Sequence, residues 1–310
     1  MTAFIFSGQG AQFSGMGLEL YGAYAECREV FDRGGAAAGF GLKEICFDDD
    51  KTEMLNDTKY CQASIFVMSA AVLALLEGKG IRADFAAGLS LGEYTALYYA
   101  GAVGFEDGVR LLERRGAFMA LASDAVDGVM SAVMGIEPEA AAEICAKASA
   151  AGESVNVSNV NTVGQVVISG ARAAVERAEA LFKEMGFRKS IRLPVSGPYH
   201  SVYMAPAAQK LEEHLKTVTF SDMAVPVVSN VDAEVISGKG DIADKLVRQV
   251  CSTVRWMDCV RRLGALGADT FVEIGPGRAL SGFVKKILPE ARIFNIQDKE
   301  SFELTVSELK

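Results

Sequence analysis

The stretch 88–92, with the sequence GLSLG, places a serine between two glycines, where a short apolar run ends and a helical pattern begins. Residues 85–87 predict a buried strand and residues 91–100 predict a helix. Glycine on either side lets the backbone turn sharply, so that the Ser90 hydroxyl is presented in front of the helix N-terminus. An oxyanion formed there would meet backbone N–H groups and the positive end of the helix dipole. The pattern predicts a nucleophilic serine; the alternative is an ordinary helix start with Ser90 as its N-cap.

Length and hydropathy favour a soluble protein. The chain has 310 residues, half of them hydrophobic, enough to bury a large core in one domain with an insertion or in two domains. We expect no signal peptide, because residues 2–6 form a short segment without a basic flank that runs into a glycine loop. The longest apolar stretch, 63–76, is too short to span a bilayer, so we expect a buried helix and no membrane partner.

Charge and cysteine usage narrow the possible partners. The formal net charge of −9 disfavours nucleic acid. The six cysteines show no CxxC pair and no regular spacing, which argues against a zinc site and a disulfide framework. Since there are only two histidines, few residues could build a metal site. A reduced, cytoplasmic location follows as the default expectation.

The order of segments predicts an α/β fold in two parts. Strand-like and helix-like segments alternate, which indicates a mostly parallel sheet covered by helices. Between residues 128 and 192 the order becomes βαββαβ, typical of a ferredoxin-like unit. We therefore predict a catalytic domain made of 1–125 and 196–310, with an inserted subdomain at 126–195. Outside the insertion, elements are predicted at residues 2–6, 18–31, 63–76, 105–122, 204–217, 225–229, 242–250, 256–266 and 270–274, followed by a helix after 277, with 48–58 as polar surface.

Two glycine-rich loops, at 8–13 and 275–280, lack the last glycine of a dinucleotide fingerprint, so neither predicts a cofactor loop. The first loop follows the strand at 2–6. A turn there could present the Gln9 backbone N–H as a second oxyanion donor for Ser90, although an ordinary strand-to-helix turn is the alternative.

A serine nucleophile needs a base, and the chain offers two histidines. His214 lies in a charged helical segment and is expected to be solvated. His200 lies in the turn-rich loop 196–201, the kind of position where functional residues gather. We therefore assign His200 as the base. No carboxylate partner is identifiable, and a backbone carbonyl could orient the imidazole instead.

Arg115 is a charged residue at the middle of an apolar helix face within 105–122. A buried guanidinium must find acceptors, because leaving it unpaired is very costly. One interpretation is an internal salt bridge or a carbonyl cap. The other is a fork that binds a substrate carboxylate through two parallel hydrogen bonds.

With these residues in view, the chain resembles the malonyl-CoA:acyl carrier protein transacylase family nearly end to end. The resemblance is carried by these motifs: FSGQGAQ at 6–12, GLSLGE at 88–93, Arg115-Gly116, the region 159–170 with GQVVI at 164–168, GPYHS at 197–201 and EIGPG at 273–277. It implies an α/β-hydrolase-like core with an inserted ferredoxin-like subdomain, in agreement with the element order.

The resemblance also implies roles, residue by residue. Ser90 would be acylated by malonyl-CoA, and His200 would take its proton and then serve the phosphopantetheine thiol of acyl carrier protein. The N–H groups of Gln9 and Leu91 would form the oxyanion hole, and Arg115 would bind the malonyl carboxylate.

Gln249 matches the family glutamine whose main-chain carbonyl orients the histidine. Gln62 is a pocket candidate, and Tyr199 could crowd an α-methyl group and disfavour methylmalonate. The chain departs from the family at Ser7, where proline is frequent, and at 61–63, which replaces a Thr-Gln-Pro-like stretch.

The partners implied are malonyl-CoA, as a thioester substrate, and acyl carrier protein, with no bound cofactor or metal and a monomeric enzyme. Carrier proteins are acidic, so docking needs local basic residues; the candidates are Lys285, Lys286, Lys183, Arg188 and Lys189, although scattered surface lysines are the alternative. Other functions left open are a discrete acyltransferase serving a polyketide synthase, a serine thioesterase or other hydrolase, and a non-catalytic subunit that binds carrier protein.

Overall fold

The computed structural model describes residues 1–150, 152–187 and 189–309. Its strands are β1 (Thr2–Phe6), β2 (Phe85–Gly88), β3 (Gly128–Met134), β4 (Val155–Thr162), β5 (Gln165–Ala171), β6 (Ser190–Arg192), β7 (Val227–Val228), β8 (Thr270–Ile274) and β9 (Arg292–Ile296). Its α-helices are α1 (Leu18–Ala23), α2 (Ala25–Ala37), α3 (Leu42–Phe47), α4 (Thr52–Asn56), α5 (Thr58–Gly78), α6 (Leu91–Tyr99), α7 (Phe105–Asp124), α8 (Pro138–Ala148), α9 (Arg172–Glu184), α10 (Ala205–Leu215), α11 (Lys239–Cys251), α12 (Trp256–Ala265), α13 (Ala279–Ile287) and α14 (Lys299–Leu309).

The central sheet is parallel, in the order β7-β2-β1-β8-β9. Phe6 at the end of β1 pairs with Gly88 at the end of β2 and with Ile274 at the end of β8. The three strands therefore finish at the same level, and the loops that follow them meet at one edge. This edge is where ligands bind in open parallel sheets.

A second, antiparallel sheet lies between residues 128 and 192, in the order β4-β5-β3-β6. Helices α8 and α9 cover it, and a separate apolar cluster fills the space between them, including Val133, Ile144, Val166, Ile168 and Phe182. The predicted mixed α/β architecture is confirmed: a parallel central sheet and a separate antiparallel sheet.

Several predicted boundaries hold and others are wrong. Strands 2–6 and 270–274 are found with the predicted bounds. The single helix predicted at 18–31 is two helices, because Tyr24 has an extended conformation (φ −124, ψ 131) that ends α1 before α2 begins. The strand predicted at 225–229 has only two residues. Short amphipathic or polar segments were missed, namely α3, α4, β9 and α14.

Helix α5 confirms the buried helix predicted at 63–76 and extends beyond it at both ends. It runs for 21 residues, so the argument that this stretch is too short to span a bilayer was wrong. It is the one helix in the described ranges that is long and apolar enough to do so, and 83% of its apolar window is buried inside the protein. A helix hydrophobic on all sides is expected at the centre of a large core.

The turn around Ser90 depends on backbone atoms in very close contact. A Cβ on Gly88 would lie 2.0 Å from the backbone of Gly92, and a Cβ on Gly92 would lie 2.2 Å from the carbonyl oxygen of Phe6. Gly8 is similarly close, at 2.6 Å, to the carbonyl oxygen of Leu89. The glycines therefore allow α6 to pack directly against the end of β1.

We predict that Gly92→Ala destabilises the protein by about 3 kcal/mol or more, because its new methyl group meets backbone that cannot move aside. Gly35→Ala, within α2, is the matched control: a Cβ there has nothing within 4 Å, and alanine is the better helix former. Urea unfolding measures both. Equal stability of the two variants would contradict the close approach.

Candidate active site

Ser90 lies between β2 and α6 with a strained backbone (φ 55, ψ −105). Its side chain makes no helix-cap hydrogen bond; instead Oγ lies 2.8 Å from Nε2 of His200. The N-cap alternative therefore does not describe this hydroxyl, which faces an imidazole.

His200 lies in the loop before α10, also with a positive φ of 57. Its Nδ1 lies 2.8 Å from the main-chain carbonyl oxygen of Gln249. A carbonyl only accepts, so Nδ1 carries the proton and Nε2 is left as an acceptor for the hydroxyl of Ser90. Burial, and then the nearby charge of Arg115, lowers the pKa of His200 to about 4. The ring is thus neutral near pH 7, as a base must be.

The other histidine, His214, is not among the residues that line the cleft. It is half-buried on α10 and lies edge-on to Phe118, with ring centroids 6.4 Å apart. It is less solvated than expected, but it takes no part in the cluster around Ser90.

Arg115 is buried beneath the serine, as the position on α7 predicts. Nη1 donates to Oε1 of Gln62 at 2.7 Å, and Nη2 donates to Ser90 Oγ at 3.1 Å and to Oε1 of Gln249 at 3.0 Å. The guanidinium lies over the ring of Tyr94 at 5.2 Å. Within the described ranges it makes no salt bridge. Its partners are neutral acceptors, and the internal ion pair considered above is not what holds it.

The two predicted oxyanion donors are Gln9 and Leu91. Gln9 follows β1 and lines the cleft, and Leu91 is the first residue of α6. In the part of the chain that the structure describes, neither backbone N–H donates to a protein acceptor. The Gln9 side chain is fixed by donating to Thr58 Oγ1 at 2.7 Å. Within the described ranges, both backbone N–H groups are thus without a protein partner.

Gln62 and Tyr199 make different contacts at the site. Gln62 contacts Arg115 directly, as described above. Tyr199 lines the cleft, and its hydroxyl is hydrogen-bonded to Thr58 Oγ1 at 2.5 Å and to Ser196 Oγ at 2.9 Å. The Tyr199 ring is thereby fixed in the wall of the cleft.

A cleft of about 300 Å³ is lined by Gln9, Ser90, Tyr199 and His200. One wall comes from the loops after β1 and β2, and the other from β3, β4 and β5 of the second sheet. Its polar lining includes Asn159, Asn161 and Gln165, and Phe283 of α13 closes one side. Ser90 and His200 share this cavity, with Arg115 beneath its floor.

Two buried residues at the site were missed by the sequence analysis. Asn230 Oδ1 accepts from the backbone N–H of Ser90 at 2.7 Å, and Asn230 Nδ2 donates to the Gly88 carbonyl at 2.8 Å. Glu93 accepts from the Asn230 N–H and from Gln249 Nε2, at 2.9 and 2.7 Å. Burial raises the pKa of Glu93 to about 7, although these hydrogen bonds oppose it. The sequence held a signal for Glu93, because it is the charged residue on a helix that is otherwise mostly apolar.

The candidate docking lysines are exposed. Lys286 lies on α13 three residues after Phe283, which lines the cleft, whereas Lys285 donates to the Pro289 carbonyl at 2.5 Å. Lys183 and Lys189 are exposed on the second-sheet unit. Arg188 lies outside the described residues.

No group of three or more His, Cys, Asp or Glu side chains in the described ranges could hold a metal ion. The six cysteines are free, and burial raises the pKa of Cys27, Cys46 and Cys145 to about 12. These thiols are poor nucleophiles, which leaves Ser90 as the group in the cleft positioned to react.

A buried serine and histidine at the carboxyl edge of a parallel sheet, with free N–H donors beside them, is the arrangement of enzymes that form acyl-serine intermediates. Comparison with known proteins narrows this class. The family model described as acyl transferase domain matches residues 3–301. The chain belongs to this acyl transferase family.

Three relatives illustrate the match. The chain is 43% identical over 308 residues to the malonyl CoA-acyl carrier protein transacylase of Bacillus subtilis, covering 99% of this chain and 97% of that one. The crystal structure of MCAT from Streptococcus pneumoniae superposes with a TM-score of 0.94 at 43% identity, covering 99% and 100%. A type II PKS acyl-carrier protein in complex with its malonyl-transacylase, PlMCAT:AntF, gives a TM-score of 0.95 at 34% identity, covering 99% of each chain.

The lowered pKa of His200 predicts a flat pH response on the acid side. A histidine with an ordinary pKa of about 6.5 would be about tenfold less neutral at pH 5.5 than at pH 8. We expect instead that a fluorophosphonate probe labels Ser90 at nearly the same rate at both values, with circular dichroism checking that the protein stays folded. A tenfold loss of rate at pH 5.5 would contradict the pKa assignment.

Proposed function

We propose that the protein transfers the malonyl group of malonyl-CoA to the phosphopantetheine thiol of acyl carrier protein, through a malonyl ester of Ser90. The observation that carries the proposal is the buried Arg115 guanidinium, which donates to Ser90 Oγ at 3.1 Å and whose other hydrogen-bond partners are the neutral side-chain oxygens of Gln62 and Gln249. The names of the relatives support malonyl-CoA and carrier protein as the substrates.

In the first half-reaction, Ser90 Oγ attacks the thioester carbonyl while His200 Nε2 takes the hydroxyl proton. The oxyanion accepts hydrogen bonds from the N–H groups of Gln9 and Leu91. When the C–S bond breaks, the proton passes from His200 to the leaving CoA thiolate, and the ester remains on Ser90. The Gln249 carbonyl holds the imidazole and stabilises its charged form, so that a dyad replaces a triad.

In the second half-reaction, His200 takes the proton of the phosphopantetheine thiol, and the sulfur attacks the ester carbonyl. The C–Oγ bond breaks and the proton returns to Ser90. Because both thioesters use one site in turn, the kinetics are ping-pong. CoA is thus a substrate carrier, and none of these steps calls for a resident cofactor.

Arg115 selects the acyl group. In a malonyl ester the free carboxylate is three bonds from Oγ, and the guanidinium already donates to that oxygen. The carboxylate can replace neutral acceptors and form a charge-assisted pair, with Gln62 held on the other side of the fork. Tyr199, fixed in the cleft wall, is proposed to disfavour an α-methyl group.

Two other functions fit less well. A thioesterase or general serine hydrolase has no need of a buried cation at the nucleophile, and a non-catalytic subunit that binds carrier protein has no need of the Ser90–His200 hydrogen bond. A discrete acyltransferase serving a polyketide synthase is the second candidate. Its support is the similarity to a malonyl-transacylase in complex with a type II PKS carrier protein.

We propose that carrier protein docks beside the cleft mouth at Lys286 and Lys285, with Lys183 and Lys189 as further contacts, because acidic partners favour local positive charge.

We also propose a monomeric, cytoplasmic enzyme. Its core is α/β-hydrolase-like, made of 1–125 and 196–310, and the unit 126–195 is ferredoxin-like; the antiparallel order β4-β5-β3-β6 and its separate apolar cluster support the latter.

Intact-mass measurement after mixing with malonyl-CoA tests the proposal. We expect one malonyl adduct per chain, mapped to Ser90 and absent in Ser90→Ala. Addition of carrier protein with a free phosphopantetheine thiol should remove the adduct much faster than water does. Failure to form an adduct would exclude the ester mechanism, and loss to water alone would favour a hydrolase.

Arg115→Ala should lower kcat/KM for malonyl-CoA by about a hundredfold or more, because a buried charge-assisted contact contributes several kcal/mol. Transfer from acetyl-CoA, which has no carboxylate, should change much less. Arg114→Ala is the matched control, since its side chain is exposed on the same helix. Equal losses for malonyl and acetyl substrates would exclude the role of Arg115 in binding the carboxylate.

A further inference from the structure

Glu93 is a fully buried carboxylate that the reaction above leaves without a role. It lies on α6, three residues after Ser90. Oε2 accepts from the Asn230 backbone N–H at 2.9 Å and from Gln249 Nε2 at 2.7 Å. In the described part of the chain Oε1 has no partner. Burying a carboxylate is costly, so its retention beside the nucleophile calls for a function.

The Gln249 side chain connects this carboxylate to Arg115. Its Nε2 donates to Glu93 and to the Ser90 carbonyl oxygen, at 2.7 and 3.1 Å, whereas its Oε1 accepts from Arg115 Nη2 at 3.0 Å. Glu93 Oε2 also accepts from the Asn230 backbone N–H and the Ser90 oxygen is a carbonyl, so both act as acceptors, whereas a guanidinium can only donate. One orientation of the Gln249 amide therefore satisfies all of these groups, and the flipped orientation satisfies none of them.

The orientation of this amide determines what Arg115 meets. The guanidinium has no salt bridge within the described ranges. Its Nη2 donates to Ser90 Oγ and to Gln249 Oε1, so the Gln249 oxygen is the acceptor that holds Nη2 beside the serine. A flipped amide would place an NH₂ group against the guanidinium. Arg115 would then lose an acceptor and its position relative to the serine.

We propose that Glu93 is a positioning residue for the acidic acyl group: its carboxylate fixes the orientation of the Gln249 amide, and the amide oxygen holds Arg115 beside Ser90. The inference rests on the proposed function, because the position of Arg115 matters only for an acyl group with a free carboxylate. It concerns the side chain of Gln249, which is separate from the main-chain carbonyl that orients His200.

The test is Glu93→Gln, which keeps the shape of the side chain but offers an NH₂ group that competes with Gln249 Nε2 for acceptors. We expect kcat/KM for malonyl-CoA to fall by about tenfold to a hundredfold. Acetyl transfer and fluorophosphonate labelling of Ser90 should stay near the wild-type rates, since neither needs Arg115. Thr95→Val is the matched control: Thr95 is buried on the same helix and its hydroxyl has no partner among the described residues.

A double-mutant cycle separates positioning from general damage. If Glu93 acts through Arg115, Glu93→Gln should have almost no further effect on malonyl transfer in an Arg115→Ala background. Equal losses in both backgrounds, or parallel losses of malonyl and acetyl transfer, would overturn the proposal. If Glu93→Gln does not fold, Glu93→Asp keeps the carboxylate but shortens its reach to Gln249 Nε2, and it should show a smaller loss of malonyl transfer in the same direction.

The outcomes distinguish this role from the proposed function. A wild-type protein that forms no malonyl adduct on Ser90 overturns both. A wild-type protein that forms the adduct, together with a Glu93→Gln variant that keeps the full preference for malonyl over acetyl, overturns the positioning role alone.

Discussion

The close approach of α6 to the end of β1 is the constraint on which the site depends. Without side chains at Gly88 and Gly92, the helix N-terminus reaches the sheet edge, and Ser90 is held with a positive φ at the turn. A non-glycine residue in this conformation is strained, and strain persists only where the surrounding structure compensates for it. Asn230 does so here by bonding both the Ser90 N–H and the Gly88 carbonyl.

Around this turn the protein buries charge without a direct ion pair at the reacting atoms. Arg115 and Glu93 are joined through the amide of Gln249, so each charge has oriented dipoles next to it. Such preorganised groups interact strongly where water is excluded. The same burial, together with Arg115, keeps His200 neutral and able to accept a proton. Burial is the larger of these two causes for His200, and the network through Gln249 is the part of the site that we propose for binding an acidic acyl group.

Much of this could be predicted from local patterns. The strand, the glycines and the helix around Ser90 are adjacent in sequence, and helical periodicity placed Arg115 on a buried face. His200 was identified because few bases exist in the chain. The extended residue that separates α1 from α2 and the full length of α5 were not predicted. The start of α5 has a local signal, since the Asp57 side chain caps the helix by accepting from the Lys59 N–H, but the polar run at 48–58 was interpreted as surface.

By itself, the sequence determined the α/β architecture, the turn at Ser90 and the residue types available for acyl transfer, since these depend on periodicity, glycine positions and composition. Only the tertiary structure decided which distant groups meet. Ser90 and Gln249 are 159 positions apart, yet the Gln249 amide donates to the Ser90 carbonyl. The direction of that amide follows from matching donors to acceptors on three separate segments, and no pattern within one segment contains this information.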